Sequence, residues 1–278
     1  MKKRGAFDLR YRLILSDIDG TLLNSNHQLT DEVKTAIKEY AAAGGTFVLA
    51  SARPPLAMTA LAHQMGLDVP LASLNGAVIC KPQHCDLKIL SATPWAAGIG
   101  SQAYEALAKL ALSLNIFSGA HWYVNVVDAW VQQEAAITGF GAETAPMEQM
   151  LAEGLPVHKM LCMGEPAVVD RAEAIILAHP EWQLVASRSK RTYLEIVRQG
   201  VSKEAALRQL SDLFAIPMTE TMALGDGEND LPMLKTAALG VTLANGLPVV
   251  LDAIKTVVPD NDHDGAAVAI RKYAMAKA

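Results

Sequence analysis

The amino-acid sequence predicts an α/β fold in which an open domain with a parallel sheet is interrupted by an inserted α+β domain. Strands of the buried type alternate with helices at both ends of the chain, whereas the middle has the pattern of a mainly antiparallel sheet with helices. The length of 278 residues also exceeds the usual size of one domain. We therefore expect one domain from residues 1–84 and 191–278, and an insertion at 85–190.

The first domain begins with a strand, a helix and a second strand. Residues 11–16 form a short run rich in Leu and Ile, which is typical of a strand buried on both faces. Thr30 is a candidate cap for the following helix, and Gly44 comes after its end. The second strand is predicted at 46–50. Because such crossovers are right-handed and join parallel strands, this unit predicts a parallel sheet.

The pattern changes after Asn75 and Gly76, where we predict a hairpin and then a separate sheet with its helices. The insertion should contain helices packed on one face of a mainly antiparallel sheet. The predicted elements are hairpin strands at 77–80 and 87–90, a helix at 95–113, a strand at 117–127, a helix at 166–178, and strands at 182–187 and 193–197.

The alternation of strands and helices resumes at Ser202, which is a candidate helix cap. A helix to residue 214 is followed by a strand at 221–224, a helix after Asp226 and a short strand at 239–241. The chain therefore returns to its first domain, and the two crossings should form hinges.

Composition excludes several classes of protein. The net charge of −5 argues against a nucleic-acid partner, which requires a basic surface. The longest apolar stretches, such as 47–50, are far shorter than the roughly 20 residues that span a bilayer, so no membrane segment is expected. The start is basic but is interrupted by Asp8 before any apolar region, so we expect a cytoplasmic protein without a signal peptide.

The three cysteines are Cys80, Cys85 and Cys162, an odd and sparse set that predicts no disulfide. His84 lies beside Cys85, but a zinc site needs four ligands and no fourth is close in sequence. This segment is therefore interpreted as an ordinary hairpin turn.

Acidic residues follow two of the predicted core strands. Asp17 and Asp19 come after the first strand, and by themselves they are equally well explained as a strand exit. The segment 225–230 places Asp226 and Asp230 after another strand. The carboxyl ends of parallel strands share one sheet edge, so four acids should meet and repel unless a hard cation lies between them. Oxygen ligands of this kind suit Mg²⁺.

Four segments together resemble the haloacid dehalogenase (HAD) superfamily of phosphatases, and within it the Cof-type subfamily with a large α/β cap of the C2 type. The segments are 17–21 (Asp-Ile-Asp-Gly-Thr), Ser51 after a strand, Lys203 at a helix start, and 225–230 (Gly-Asp-Gly-Glu-Asn-Asp). The resemblance covers essentially the whole chain. It implies a Rossmann-like core, an inserted cap, and Mg²⁺-dependent hydrolysis of a small phosphate monoester, such as a sugar phosphate or a phosphorylated cofactor, through an aspartyl-phosphate.

The resemblance also implies roles for the acids and the lysine. Asp17 is the nucleophile, and Asp19 is the general acid and base. Lys203 stabilises the charge that develops at phosphorus. The metal ligands are Asp17, Asp19 through its main-chain carbonyl, and Asp226, while Asp230 orients the waters of the metal or Lys203.

The phosphate-binding residues implied by the resemblance are Ser51, Ala52, Arg53 and Asn229. Ala52 departs from the family's usual Gly, which weakens the backbone part of this assignment. Two interpretations of Arg53 stay open, a contact with substrate or a bridge from core to cap. Glu204 also replaces a common Gly, and it either narrows the entrance or faces solvent.

Several other positions have two interpretations. Asn75 and Gly76 resemble a family position that faces the active site, or form only a turn. His263, in a segment that resembles the family's closing loop, is a candidate addition to the site. Gly98 and Gly100 lack the third glycine of a dinucleotide site. The insertion should close as a lid that sets specificity. Its candidate substrate contacts are His121, Trp122, Tyr123, His158, Lys159, Arg188 and Lys190.

Two alternatives to hydrolysis remain at this point. One is a phosphosugar mutase on the same fold, which returns the phosphoryl group to its substrate. The other is a non-catalytic protein that binds a phospholigand, although retention of all of Asp17, Asp19, Lys203 and Asp226 argues against it. The partner is expected to be a small phosphorylated metabolite, and the chain a monomer or weak homodimer.

Overall fold

The structure is a computed structural model that describes residues 7–83 and 86–277. The strands are β1 (Phe7–Leu9), β2 (Leu13–Asp17), β3 (Thr46–Ala50), β4 (Leu71–Ser73), β5 (Val78–Gln83), β6 (Asp86–Ala92), β7 (Ser113–Ser118), β8 (His121–Val124), β9 (Glu143–Thr144), β10 (Lys159–Met163), β11 (Leu184–Lys190), β12 (Tyr193–Arg198), β13 (Thr221–Leu224), β14 (Leu239–Leu243), β15 (Val257–Val258) and β16 (Met275–Lys277). The α-helices are α1 (Asp31–Ala42), α2 (Pro55–Gln64), α3 (Ile99–Leu107), α4 (Ala129–Thr138), α5 (Met147–Ala152), α6 (Pro166–Leu177), α7 (Lys203–Leu213), α8 (Leu231–Thr236), α9 (Pro248–Ala253) and α10 (Gly265–Ala269).

An eight-stranded sheet forms the core, in the order β15-β14-β13-β2-β3-β4-β5-β6. The strands from β15 to β4 are parallel, and β5 and β6 extend the sheet as an antiparallel hairpin. The central strand β2 is buried on both faces, because Leu13 and Leu15 pack with α7 and α8 while Ile14 packs with α1. The predicted α/β class with a parallel sheet is confirmed.

Local signals set the elements that carry the site. Thr30 accepts a hydrogen bond from the Val33 amide and caps α1, and Ser202 caps α7 through the Ala205 amide, as predicted. Strands β3 and β13 have the bounds predicted from the sequence, and β2 ends one residue later than predicted, at Asp17.

A six-stranded sheet forms the cap, in the order β11-β12-β10-β7-β8-β9. Its pairs are antiparallel except for β8 with β9. Because side chains alternate across a strand, Met160 and Cys162 pack with α3 and α6 on one face, while Leu161 and Met163 lie on the other face, which is packed against the core. Polar groups at that second face can therefore reach the core.

Two strands belong to a different sheet from the one that the predicted boundaries at 85 and 190 imply. Strand β6 pairs with β5 in the core sheet, although the sequence placed it in the insertion. Strand β12 pairs with β10 and β11 in the cap sheet, although the sequence placed it in the core. The division into two domains stays a prediction, and its boundaries move to about 93 and 199 on this pairing.

The cap contains more elements than the sequence indicated. The strand predicted at 117–127 is a hairpin of β7 and β8, because the chain turns at Gly119 with a positive φ of 57°. The helix predicted at 95–113 is limited to α3. The structure adds α4, β9, α5 and β10, which the sequence analysis did not assign.

Among the described residues, no helix is both long and apolar enough to cross a membrane. Cys80 and Cys162 are buried free thiols. The turn predicted at His84 and Cys85 lies outside the described residues. The cytoplasmic address and the oligomeric state stay predictions.

Candidate active site

The predicted acids meet at the carboxyl edge of the core sheet. Asp17 is the last residue of β2, and Ser51 and Asp226 follow the two strands that flank it, β3 and β13. Lys203 is the first residue of α7. This edge is where open parallel sheets place their ligands.

Three carboxylates and one lysine form a compact cluster. Asp17, Asp226 and Asp230 each offer an oxygen, and these oxygens lie within 4.8 Å of one another. Lys203 Nζ donates to Asp17 Oδ1 at 2.5 Å and to Asp230 Oδ1 at 2.6 Å. The Lys203 and Asp230 side chains are 2% and 0% exposed, whereas that of Asp17 is 13% exposed. Asp17 is thus the most exposed member of this bridge.

Burial and mutual repulsion dominate the electrostatics of the cluster. Burial raises the pKa of Asp17 to about 7; Lys203 opposes this rise, and Asp230 and Asp226 add to it. Burial also raises the pKa of Asp226. Although burial alone would lower the pKa of Lys203, Asp17 and Asp230 raise it above its usual value. Three carboxylates against one ammonium leave the cluster short of positive charge, and its oxygen donors fit a hard divalent cation.

Asp230 is held in place by the turn on which it lies. Its Oδ2 accepts hydrogen bonds from the backbone amides of Asp226, at 3.1 Å, and Gly227, at 2.9 Å. With Oδ1 bound to Lys203, both oxygens of this fully buried carboxylate have partners. Asp230 therefore fits a supporting position behind Asp17.

Thr21 and Gly20 place the Asp226 carboxylate. Thr21 Oγ1 donates to Asp226 Oδ1 at 2.5 Å, so Thr21 contacts the cluster directly. Gly20 has a φ of 80°, and a Cβ at this position would lie 2.4 Å from Asp226 Oδ2. Gly20 thus provides both the left-handed backbone and the space for the carboxylate.

Replacement of Gly20 by Ala is expected to destabilise the protein by about 1–3 kcal/mol, because the new methyl group overlaps Asp226 and the backbone is strained. Urea unfolding measures this change. Gly141→Ala is the matched control, since a Cβ at Gly141 meets nothing within 4 Å. Equal unfolding free energies for the two variants would contradict this description of the turn.

Asp19 is not one of the three clustered carboxylates, and it lines the cleft. Arg53 binds it with two hydrogen bonds, Nε to Oδ2 at 3.1 Å and Nη2 to Oδ1 at 2.7 Å. His27 Nδ1 lies 3.9 Å from Asp19 Oδ1. The guanidinium of Arg53 thus binds a core carboxylate, while the two interpretations of Arg53, a contact with substrate and a bridge to the cap, stay predictions.

A cleft of about 840 Å³ lies between core and cap. Its core wall includes Asp19 and the segment 51–53 (Ser-Ala-Arg), and its cap wall includes Phe117, Lys159 and Tyr193. Ser51 Oγ accepts a hydrogen bond from the Arg53 amide at 3.2 Å. Asn229 lies in the turn after β13, is exposed, and is not part of the cleft wall.

Other predicted positions are engaged elsewhere. Glu204 accepts hydrogen bonds from Arg208 and Thr236, and His263 pairs with Asp260 at 2.6 Å. Neither lines the cleft. Asn75, in a left-handed conformation with a φ of 60°, donates to Glu195 of the cap.

Among the candidate cap contacts, Lys159 and Lys190 line the cleft. His121 pairs with Glu143, and Arg188 pairs with Asp170 and Glu173, all on the cap. Trp122 and His158 are buried, and Tyr123 stacks on His121.

Sequence reasoning missed two asparagines that support the turn after β2. Asn245 Nδ2 donates to the carbonyl of Gly20 at 2.8 Å, and Asn261 Nδ2 donates to that of Leu23 at 2.8 Å. The only available signal was the resemblance of the segment 261–265 to the family's closing loop, which drew attention to His263 instead.

Comparison with known proteins covers nearly the whole chain. Residues 14–270 match the family described as haloacid dehalogenase-like hydrolase. The chain is 26% identical over 272 residues to the 5-amino-6-(5-phospho-D-ribitylamino)uracil phosphatase YcsE of Bacillus subtilis, covering 96% of this chain and 98% of the relative. It is 27% identical over 247 residues to the HMP-PP phosphatase of Cronobacter sakazakii, covering 86% of each chain. A haloacid dehalogenase-like hydrolase from Bacteroides thetaiotaomicron superposes with a TM-score of 0.83 at 28% identity, covering 94% of this chain and 99% of that chain.

Proposed function

Because the chain belongs to the haloacid dehalogenase-like hydrolases, we propose that it is a Mg²⁺-dependent phosphatase of small phosphate monoesters that works through an aspartyl-phosphate on Asp17. The observation that carries the proposal is the pairing of a partly exposed Asp17 with a buried Lys203 inside a cluster of carboxylate oxygens. The phosphatase activity named for YcsE and for the Cronobacter protein supports the same reaction class.

The first half of the proposed reaction transfers the phosphoryl group to the protein. A carboxylate oxygen of Asp17 attacks phosphorus, and the bond from phosphorus to the leaving oxygen breaks. Asp19 gives its proton to that leaving oxygen. Lys203, fixed by Asp230, offsets negative charge at the attacking carboxylate.

The second half releases phosphate and restores the protein. Asp19, now ionised, takes a proton from water, and the resulting nucleophile attacks phosphorus and breaks its bond to Asp17. Arg53 binds both oxygens of Asp19 and so lies beside the group that protonates the leaving oxygen. We assign Arg53, together with Ser51, the Ala52 amide and Asn229, to the oxygens of the substrate.

We assign the metal ligands as Asp17, the main-chain carbonyl of Asp19, and Asp226, with Asp230 as their support. When bound, Mg²⁺ would supply positive charge that lowers the repulsion between the Asp17 carboxylate and the phosphoryl oxygens. Thr21 and Gly20 would contribute to metal binding indirectly, because they fix the position of Asp226.

We propose as substrate a monoester whose leaving group has the size of a sugar or a small heterocycle. The cleft volume of about 840 Å³ is within the range of small-molecule sites. YcsE and the Cronobacter protein are named for small phosphorylated substrates, which agrees with this size class. The family match and the relatives named as phosphatases favour hydrolysis over a phosphosugar mutase and over a non-catalytic binder. An isomerised phosphosugar with little free phosphate would identify a mutase, and saturable binding without turnover would identify a binder.

Removal of divalent cations is expected to lower hydrolysis of a generic aryl phosphate by about a hundredfold or more, since the carboxylate cluster then repels the phosphoryl group. The measurement is phosphate release after chelation and desalting, and then with added Mg²⁺. Circular dichroism before and after chelation controls for unfolding. Full activity in protein shown by elemental analysis to contain no metal would contradict the proposal.

A further inference from the structure

Lys159 of strand β10 is a buried cap residue that contacts the core. It is 4% exposed, and its Nζ donates to the carbonyl oxygen of Ala52 at 3.0 Å. The same Nζ lies 2.7 Å from Oε2 of Glu195 on the neighbouring cap strand β12. Glu195 in turn accepts a hydrogen bond from Asn75 of the core, Nδ2 to Oε2 at 3.1 Å. Two cap residues and two core residues thus form one hydrogen-bonded network across the cleft.

Stability alone does not account for charges at this position. Burying two ions is costly, and a packed apolar pair of similar volume is commonly as stable as a buried ion pair. The surroundings, with Phe117 and Leu161 beside Lys159, would accept such a pair. Burial alone would raise the pKa of Glu195, but Lys159, Ser189 and Asn75 hold it below its usual value, so the carboxylate stays ionised. The function of Lys159 therefore lies in its contact with the core, at the carbonyl of Ala52.

The core partner of Lys159 is the peptide group between Ala52 and Arg53, whose carbonyl and amide both make hydrogen bonds. The carbonyl of Ala52 accepts from Lys159, and the amide of the same peptide, which belongs to Arg53, donates to Ser51 Oγ. Because Ser51 Oγ accepts this hydrogen bond, its own proton is directed elsewhere and is available to a phosphate oxygen. The peptide also sets the backbone from which Arg53 reaches Asp19.

We propose that Lys159 is a positioning residue for the phosphate-binding segment 51–53. By fixing the peptide between Ala52 and Arg53 from the cap, it orients the Ser51 hydroxyl and the Arg53 side chain. The segment is then fully ordered for phosphate only when the cap is seated on the core. This inference rests on the proposed function, and it adds a cap residue that acts through the core segment rather than on the substrate itself.

The test compares three variants with the wild-type protein. Lys159→Met with Glu195→Gln removes both charges, which avoids leaving a buried ion unpaired, and it removes the donor to Ala52. Glu195→Gln alone keeps that donor but leaves the Lys159 ammonium without its carboxylate partner, so it is an intermediate case. Lys109→Met, an exposed cap lysine that does not line the cleft, is the matched control.

The readouts are the Kd for inorganic phosphate by calorimetry with Mg²⁺, the kcat and KM for an aryl phosphate, and hydrogen exchange of a peptide spanning 51–53 without ligand. We expect the double variant to bind phosphate on the order of tenfold more weakly and to show a raised KM. Exchange of the 51–53 peptide should also be faster, whereas peptides of β10 and β12 keep their protection. Glu195→Gln should bind phosphate more tightly than the double variant because it keeps the donor to Ala52, and Lys109→Met should stay within about twofold of wild type.

Three outcomes would overturn the inference. The first is wild-type phosphate affinity in the double variant. The second is unchanged hydrogen exchange at 51–53, which would make any loss of affinity a direct effect of Lys159 on phosphate. The third is exchange that rises equally across the cap, which would show that Lys159 contributes only to folding. If wild-type protein binds phosphate in this Lys159-dependent way but releases none from any ester, the proposed function fails while the positioning inference stands.

Discussion

Asp17→Asn is expected to lower phosphatase activity by about a thousandfold or more while the protein stays folded. The amide of Asn cannot attack phosphorus as a carboxylate does, and no other carboxylate of the cluster lies at the end of β2. The substitution also removes a buried charge beside Asp230 and Asp226, so the thermal midpoint of the metal-free protein should not fall. Phosphate release from an aryl phosphate with saturating Mg²⁺, and a thermal melt of the same preparation, measure both effects.

Asp212→Asn is the matched control for this substitution, since Asp212 is an exposed residue near the end of α7. It should keep wild-type kcat. Activity of Asp17→Asn within tenfold of wild type would exclude Asp17 as the nucleophile, because a purely electrostatic role leaves the chemistry to another group.

Lys203→Met is expected to reduce kcat by about a hundredfold or more and to destabilise the metal-free protein by about 3 kcal/mol. Lys203 lies between Asp17 and Asp230 with its side chain 2% exposed, so its loss leaves two buried carboxylates without their cation. The loss of kcat follows because the Lys203 ammonium no longer offsets the negative charges of the attacking carboxylate and the phosphoryl oxygens. Aryl phosphate kinetics and urea unfolding measure the two changes.

The control is Lys235→Met, which removes an exposed lysine from α8. Lys203→Arg is a stricter comparison. It keeps the positive charge, but a planar guanidinium does not replace a compact ammonium between two oxygens. If Lys203→Met retained the wild-type kcat and unfolding free energy, the charge balance described for the cluster would be incorrect.

The elements that position the site could be predicted from local sequence signals. The apolar runs of β2, β3 and β13 and the caps Thr30 and Ser202 act within a few residues of their own position. Parallel strands end at one edge of a sheet, so the sequence alone predicts that Asp17, Ser51 and Asp226 lie close together.

The contacts that complete the site could not be read in the same way. Thr21 with Asp226, and Asn245 with Gly20, are hydrogen bonds between residues more than two hundred positions apart, and no periodicity encodes them. Arg53 illustrates the limit. Its place near Ser51 is read directly from the sequence, but its pairing with Asp19 depends on side-chain geometry.

The cap was predicted least well, for a physical reason. Its central strand β10 is a continuous buried run, which periodicity cannot distinguish from a buried helix segment. Strand β12 lies close in sequence to the core helix α7, yet its partners are β10 and β11. Strand pairing is a long-range property, so the local pattern that placed a boundary at 190 could not assign β12 to the cap sheet.

The stereochemical course at phosphorus tests the central claim most directly, which is that the phosphoryl group passes through the protein. A thiophosphate monoester made chiral with oxygen isotopes is hydrolysed in isotopically labelled water, and the configuration of the product is determined. Two successive in-line displacements, by Asp17 and then by water, predict overall retention. Inversion would show a single displacement by water, and it would contradict the assignment of Asp17 as the nucleophile.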